Sequence, residues 1–195
     1  MEPAKFYHIY NRGNNREKIF FTRENYIYFM QKIERHLLPH LYLLAYCLMP
    51  NHFHLLTYSK ENVVPAAFSK DLQIMLRSYT RAINNQETRT GSLFQQNTKI
   101  KALNIEDLLS ENFPYDEYPL TCFHYIHQNP VRAGLVDRME DWEMSSFQEY
   151  AEIREFQFVS KTMALKFLEI PEDPDLFIQE SNKILKLMPS LKVMA

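Results

Sequence analysis

The hydrophobic pattern changes period several times along the chain. Phe6 to Asn11 alternates apolar and polar positions and stops at Arg12-Gly13-Asn14-Asn15, a strand closed by a turn-rich loop. Thr22 then stands as a cap before Arg23-Glu24-Asn25, and Ile27, Met30, Ile33 and Leu37 recur at helical spacing up to Pro39. Leu41 to Leu48 is a continuous apolar run, Met49-Pro50-Asn51 a connector, and His52 to Tyr58 its antiparallel partner in a tight hairpin. Pro65 opens a second long helix lined by Phe68, Leu72, Met75, Leu76, Tyr79 and Ile83, and Leu93 to Ala102 reads as a fourth strand.

The order strand, helix, strand, strand, helix, strand predicts an α+β fold: a ferredoxin-like βαββαβ antiparallel sheet with helices on one face. In that arrangement the third strand lies inside the sheet. Further on, Asn104 is placed to cap a short helix carrying Glu106 and Asp107. After Pro119 a helix follows whose stripe is Leu120, Phe123 and Ile126, and Tyr125, about 200° around the axis from Phe123, faces away from that stripe. Additional C-terminal helices are expected around 160–169 and 175–188. We therefore expect one domain over residues 1–150 and a helical extension, 151–195, packed on it.

Composition narrows the class. The chain has 195 residues, 46% of them hydrophobic and 14% aromatic, enough for a full core. Cys47 and Cys122 lie far apart in apolar stretches, which suits buried thiols and a reducing, cytoplasmic setting. No targeting signal or membrane span is expected. The net charge of −2 conceals an asymmetry: residues 1–105 hold 14 Lys+Arg against 7 Asp+Glu, and residues 106–195 hold 8 against 17. The first half is the one a polyanion would meet.

The chemistry centres on His52 and His54. With one residue between them in a strand, both imidazoles face the same way while Phe53 enters the opposite layer. Such a pair is half of a metal site, or two unrelated histidines of which one bonds a carbonyl and one meets solvent. Tyr125 and Asn129 are four apart on a helix and project from the same side. A phenol is a strong nucleophile once deprotonated, and an amide oxygen suits a hard cation. Two imidazoles and one amide leave positions open for phosphate oxygens, which fits Mg²⁺ or Mn²⁺ acting on a phosphodiester. Asn129 precedes Pro130, so it reads equally as the cap of a new helix. His124, His127 and Gln128 are neighbours that either assist or are simply exposed.

Five ordered blocks resemble a known family. They are Tyr7 to Asn14, Tyr46 to Leu56 with Pro50-Asn51-His52-Phe53-His54 at its centre, Gly91 to Gln95, Tyr125 to Val136 with Asn129-Pro130-Val131-Arg132-Ala133-Gly134, and Trp142 to Tyr150. Together they are similar to the single-tyrosine transposases with a His-hydrophobic-His motif, above all the REP-associated tyrosine transposases. The resemblance implies a divalent metal on His52 and His54. It implies Tyr125 as the nucleophile that cleaves and rejoins single-stranded DNA through a 5′-phosphotyrosine link. It also implies DNA hairpins or palindromes as partners and admits a homodimer. The related insertion-sequence branch carries Gln where this chain has Asn129, one methylene shorter. Arg12, Arg16, Lys18, Arg77 and Arg81 are the expected phosphate contacts. Two other classes compete: a hairpin-binding protein that keeps the fold without cleaving, and a small-molecule metalloenzyme, whose all-β barrel the helical periods at 24–38 and 65–83 contradict.

Overall fold

Four strands, β1 (Phe6–Arg12), β2 (Leu41–Met49), β3 (His52–Ser59) and β4 (Lys99–Leu103), form one antiparallel sheet in the spatial order β2-β3-β1-β4. The computed structural model describes residues 1–103, 119–154 and 158–187. The helices are α1 (Arg23–His36), α2 (Pro65–Gln86), α3 (Pro119–Arg132), α4 (Phe147–Tyr150), α5 (Lys161–Leu168) and α6 (Pro174–Leu187). The order is that of the ferredoxin-like fold, with β1 and β3 in the two interior positions. The expected cap at Asn104 lies outside the described residues.

Each face of β3 is covered by a different layer. Phe53 points toward α1 and α2, where its ring meets Phe29, and Phe29 in turn meets Tyr79 edge-on. Phe20 and Phe94 complete this aromatic cluster. The opposite face of β3 lies under α3, so the sheet is sandwiched where a single helical layer was expected. α1 begins where the sequence predicts: Asn25 Oδ1 accepts the backbone N–H groups of Phe21 and Thr22, satisfying donors at the helix entrance.

The fourth strand is shorter than the apolar pattern suggests. Asn97 has φ of 62°, a left-handed backbone that interrupts an extended run, and Phe94 makes only an isolated bridge to Gly13. Asn11 sets this arrangement, since its Nδ2 donates to the carbonyl of Gln95 (3.2 Å) and to Thr98 Oγ1 (2.8 Å). Gly13 is required on its own account. A Cβ there would lie 2.0 Å from the Glu17 carbonyl oxygen, while its N–H donates to Asn51 O at 2.8 Å. The turn that presents His52 is thereby tied to the end of β1.

The chain after α3 lies against the outer edge of β2. Leu48 N–H donates to Met144 O (2.8 Å), Ser146 N–H to Tyr46 O (3.0 Å) and Ser160 N–H to Leu43 O (2.8 Å). Phe177 of α6 packs with Phe123, Phe147 and Tyr150. Cys47 and Cys122 are fully buried thiols, and burial pushes the Cys47 thiol up. Among the described residues no helix is long and apolar enough to cross a membrane.

One buried carboxylate organises this region. Glu149, 1% exposed, accepts the Tyr46 hydroxyl (2.7 Å) and the Arg154 guanidinium (2.8 Å) on one oxygen, and the N–H groups of Phe158 (2.8 Å) and Val159 (3.2 Å) on the other. Removing it takes the anionic acceptor from a half-buried guanidinium, a buried hydroxyl and two amides. Glu149→Ala is expected to lose about 3–5 kcal/mol of stability, read as a shift in the urea midpoint followed by Trp142 fluorescence. A loss below about 1 kcal/mol would mean that the network contributes no more than a surface ion pair.

Candidate functional site

Antiparallel pairing places β1 and β3 residues of one face side by side. Arg12 stands opposite His52, Tyr10 opposite His54, and His8 opposite Leu56. The expected co-facing of His52 and His54 follows directly. What the sequence reading missed is His8, whose Nε2 lies 2.9 Å from His54 Nδ1 in a fully buried contact. Alternation alone puts His8, Tyr10 and Arg12 on one face. Only the pairing with β3 brings that face to the histidine pair.

Hydrogen bonding orders the two imidazoles. His52 Nδ1 donates to Asn51 Oδ1 at 2.6 Å, which leaves the lone pair on Nε2. Neither His52 Nε2 nor His54 Nε2 has a hydrogen-bond partner among the described residues, although both atoms are buried. For His54 to offer a lone pair at Nε2, its proton must sit on Nδ1 and be donated to His8 Nε2. Orphaned, inward nitrogens of this kind suit a cation better than they suit a dry core.

Burial also keeps the rings uncharged. It lowers the pKa of His52 to about 4, with the Arg12 charge adding to the effect, and takes His54 well below its ordinary value, with His8 and His52 contributing. Neutral imidazoles bind metal without competing with a proton near neutrality. Among the described residues no group of three or more His, Cys, Asp or Glu side chains could hold a metal, so further donors would be amide, water or substrate oxygens.

Tyr125 of the same chain approaches His54 and His8. Its ring stands edge-on to His54 at 5.7 Å between centroids and to His8 at 6.2 Å. α3 is buried on two sides: Phe123 turns to the Tyr150 and Phe177 cluster, while Tyr125 turns to the sheet. Leu120, expected in the apolar stripe, is 40% exposed at the helix start. Arg132, two turns after Tyr125, lies close enough for the two charges to interact, and it donates to Gln128 Oε1 at 2.7 Å. Burial lowers the Arg132 pKa, and Tyr125 opposes that shift only in part.

Asn129 does not cap a new helix. α3 runs through Pro130 to Arg132 and closes on Gly134, where φ of 67° allows the Leu135 and Gly134 amides to reach back to Pro130 O (3.0 Å) and Val131 O (3.0 Å). Asn129 is fully buried; its Nδ2 donates to Tyr125 O at 2.9 Å, and its Oδ1 has no partner among the described residues. His124 and His127 are buried, not exposed. His127 bonds Ser146 Oγ at 2.7 Å and packs among Phe123, Phe147 and Phe177, apart from the histidine pair.

The expected basic residues separate into groups. Arg12 lines a pocket of about 180 Å³ with His52, His54, Asn97 and Lys99; Lys99, which sequence reading missed, is co-facing with Lys101 on β4. Arg77 and Arg81 are exposed on α2 and line a larger groove. Arg16 is exposed in the loop after β1, and Lys18 belongs to a separate hollow beside Trp142. The structure does not bring Arg16 or Lys18 into the histidine pocket.

Four buried histidines with depressed pKa values, His52, His54, His124 and His127, make stability depend on pH. Between the unfolded value of 6.5 and the folded value of about 4 for His52 and His124, the unfolded chain binds more protons. Stability is therefore full above pH 6.5 and falls as pH drops through that window, at up to about 1.4 kcal/mol per pH unit for each histidine. Urea midpoints at pH 7.5 and 5.5 check this, and equal midpoints would mean that these rings are not buried neutral.

No family model matches the chain. A Haemophilus influenzae protein (strain ATCC 51907 / DSM 11121 / KW20 / Rd), assigned by name to the REP-associated tyrosine transposases, is 28% identical over 112 residues, 53% of this chain and 57% of that protein. The match thus spans little more than half of the relative's length. A solved structure of a REP-associated tyrosine transposase bound to a REP hairpin superposes with a TM-score of 0.59 at 17% identity, covering 82% of this chain and 93% of the other. That likeness shows the fold. The sequence relative and the solved structure both carry the name of the family that the motif blocks resemble.

Proposed function

We propose that the protein is a transposase-type strand transferase acting on single-stranded DNA that bears hairpins, with Tyr125 as nucleophile and His52, His54 and Asn129 as the holders of Mg²⁺ or Mn²⁺. The observation that carries this reading is the edge-on approach of the Tyr125 ring to His54, one of two co-facing imidazoles whose Nε2 atoms are both buried without a partner among the described residues. The name of the sequence relative and the hairpin in the structural neighbour support the substrate class. When bound, the divalent ion supplies Lewis-acid stabilisation of charge on the phosphoryl oxygens.

The chain's own residues do the rest. The Tyr125 oxygen attacks a backbone phosphorus, forming the O–P bond as the bond from phosphorus to the 3′ oxygen breaks. The leaving oxygen departs as a 3′-hydroxyl, taking up the proton that the phenol gives up. Arg12 and Lys99 receive the flanking phosphates, and attack by another 3′-hydroxyl reverses the step without an external energy source. His8 acts as a positioning residue that holds His54 in the tautomer offering Nε2.

Incubation with a labelled single-stranded hairpin and Mn²⁺ is expected to give a denaturation-resistant adduct, abolished by chelator and by Tyr125→Phe. If Tyr125→Phe forms as much adduct as the parent, another residue is the nucleophile. Hairpin binding indifferent to chelator, with no adduct under any divalent metal, would return the non-cleaving binder.

His8→Phe is expected to weaken Mn²⁺ binding, measured by electron paramagnetic resonance, by about 10- to 100-fold. His8→Gln, which keeps an acceptor for the His54 proton, should restore most of it. Equal affinity in all three proteins would leave His8 a packing residue only.

A further inference from the structure

The turn that leads into β3 is strapped to the loop after β1. Pro50 O accepts the N–H groups of Ile19 (2.8 Å) and Phe20 (3.1 Å), and Asn51 O accepts that of Gly13 (2.8 Å). The Asn51 side chain adds a further tie, its Nδ2 donating to Arg16 O at 3.2 Å. The loop reaches this position at a backbone cost, because Asn15 and Arg16 stand consecutively in the left-handed region with φ of 53° and 61°. Asparagine tolerates that region, whereas arginine adopts it only where its surroundings hold it there.

These contacts decide more than the shape of the turn. A side-chain amide has one donor end and one acceptor end, and a backbone carbonyl can only accept. Because Arg16 O takes the Nδ2 end, Oδ1 is left to face His52, 2.6 Å from its Nδ1. The reverse amide would set two oxygens against each other at Arg16. An oxygen so close to Nδ1 requires a proton there, which frees the lone pair of His52 Nε2, the buried atom without a partner among the described residues. Free histidine favours the opposite tautomer, with its proton on Nε2. That form would cap the atom the site offers.

We propose that Asn51 is a positioning residue that couples the loop after β1 to His52: the Arg16 carbonyl orients the amide, and the amide selects the tautomer. Where His8 holds His54 from within the sheet, Asn51 ties His52 to a loop whose residues 15–18 are exposed. The coupling runs both ways. A cation on Nε2 makes the Nδ1 proton a stronger donor, which draws on Oδ1 and, through the polarised amide, on Arg16 O. The proposal takes from the strand-transfer reading only that a divalent ion sits on His52. Selection of the tautomer needs neither ion nor DNA.

The test is nitrogen NMR of the full chain with isotope-labelled histidines, free of metal and DNA, with His52 assigned by the signals lost in His52→Gln. The parent is expected to carry the His52 proton on Nδ1. Asn51→Leu, similar in size but without polar ends, should move it to Nε2, and Asn51→Asp, which keeps an acceptor, should leave it on Nδ1. Mn²⁺ affinity, measured by electron paramagnetic resonance, should fall about 10-fold or more in Asn51→Leu and change by less than about 3-fold in Asn51→Asp. Added Mg²⁺ should shift the Glu17 amide signal, which shares its peptide group with Arg16 O, in the parent. In Asn51→Asp, which has no donor for that carbonyl, the shift should be lost although the ion still binds.

A parent His52 protonated on Nε2, an unmoved proton in Asn51→Leu, or an equal Glu17 shift in Asn51→Asp would overturn the proposal. The parent and Asn51→Asp decide it by themselves if Asn51→Leu does not fold. Adduct formation reports separately on the chemistry. An adduct together with a tautomer indifferent to Asn51 sinks the positioning role alone, and a tautomer set by Asn51 without any adduct sinks the strand-transfer reading alone.

Discussion

Everything at the site depends on β3 being covered on both faces. A strand sends successive side chains to opposite sides, so in an interior strand each residue is committed to one of two dry layers. Phe53 fills the layer under α1 and α2, and its neighbours His52 and His54 are driven into the layer under α3. The same covering strips the imidazoles of water, holds them neutral and leaves their Nε2 atoms without partners. A one-residue slip in the pairing of β3 would exchange the aromatic for the imidazoles and destroy both the core and the site.

The charge asymmetry of the sequence acquires a spatial meaning in this frame. Arg12, Arg77, Arg81 and Lys99, all from the basic first half, line the histidine pocket and the groove. Several acids of the second half are instead engaged in pairs elsewhere: Glu149 with Arg154, Glu143 with Arg23 and Asp141 with Arg138. These three pairs do not line the cationic spaces.

The parts of the fold that follow from periodicity were readable in advance. β3, α1 and α2 carry long unambiguous patterns, and the hairpin at Pro50-Asn51 follows from two apolar runs around a turn. β4 was overextended because hydrophobicity does not reveal the left-handed backbone at Asn97 or the grip of Asn11 on the loop. Asn129-Pro130 looked like a helix start, yet the helix continues, held by side-chain burial on both sides and closed only at Gly134. The convergence of Tyr125 with His54 could be expected only through family resemblance, since nothing local links residues so far apart. His8 and Lys99 escaped for a related reason: their roles come from strand pairing.

The seating of residues 144–146 and Ser160 along β2 has a consequence for assembly. An open sheet normally invites a second molecule to add its own strand, and here that border is already occupied by the chain itself, while the opposite border at β4 displays Lys99 and Lys101. To continue the sheet into another copy, this protein would have to peel away its own later segment on one side or press lysines together on the other. Along β2 the backbone ladder is thus terminated by the chain's own later segment.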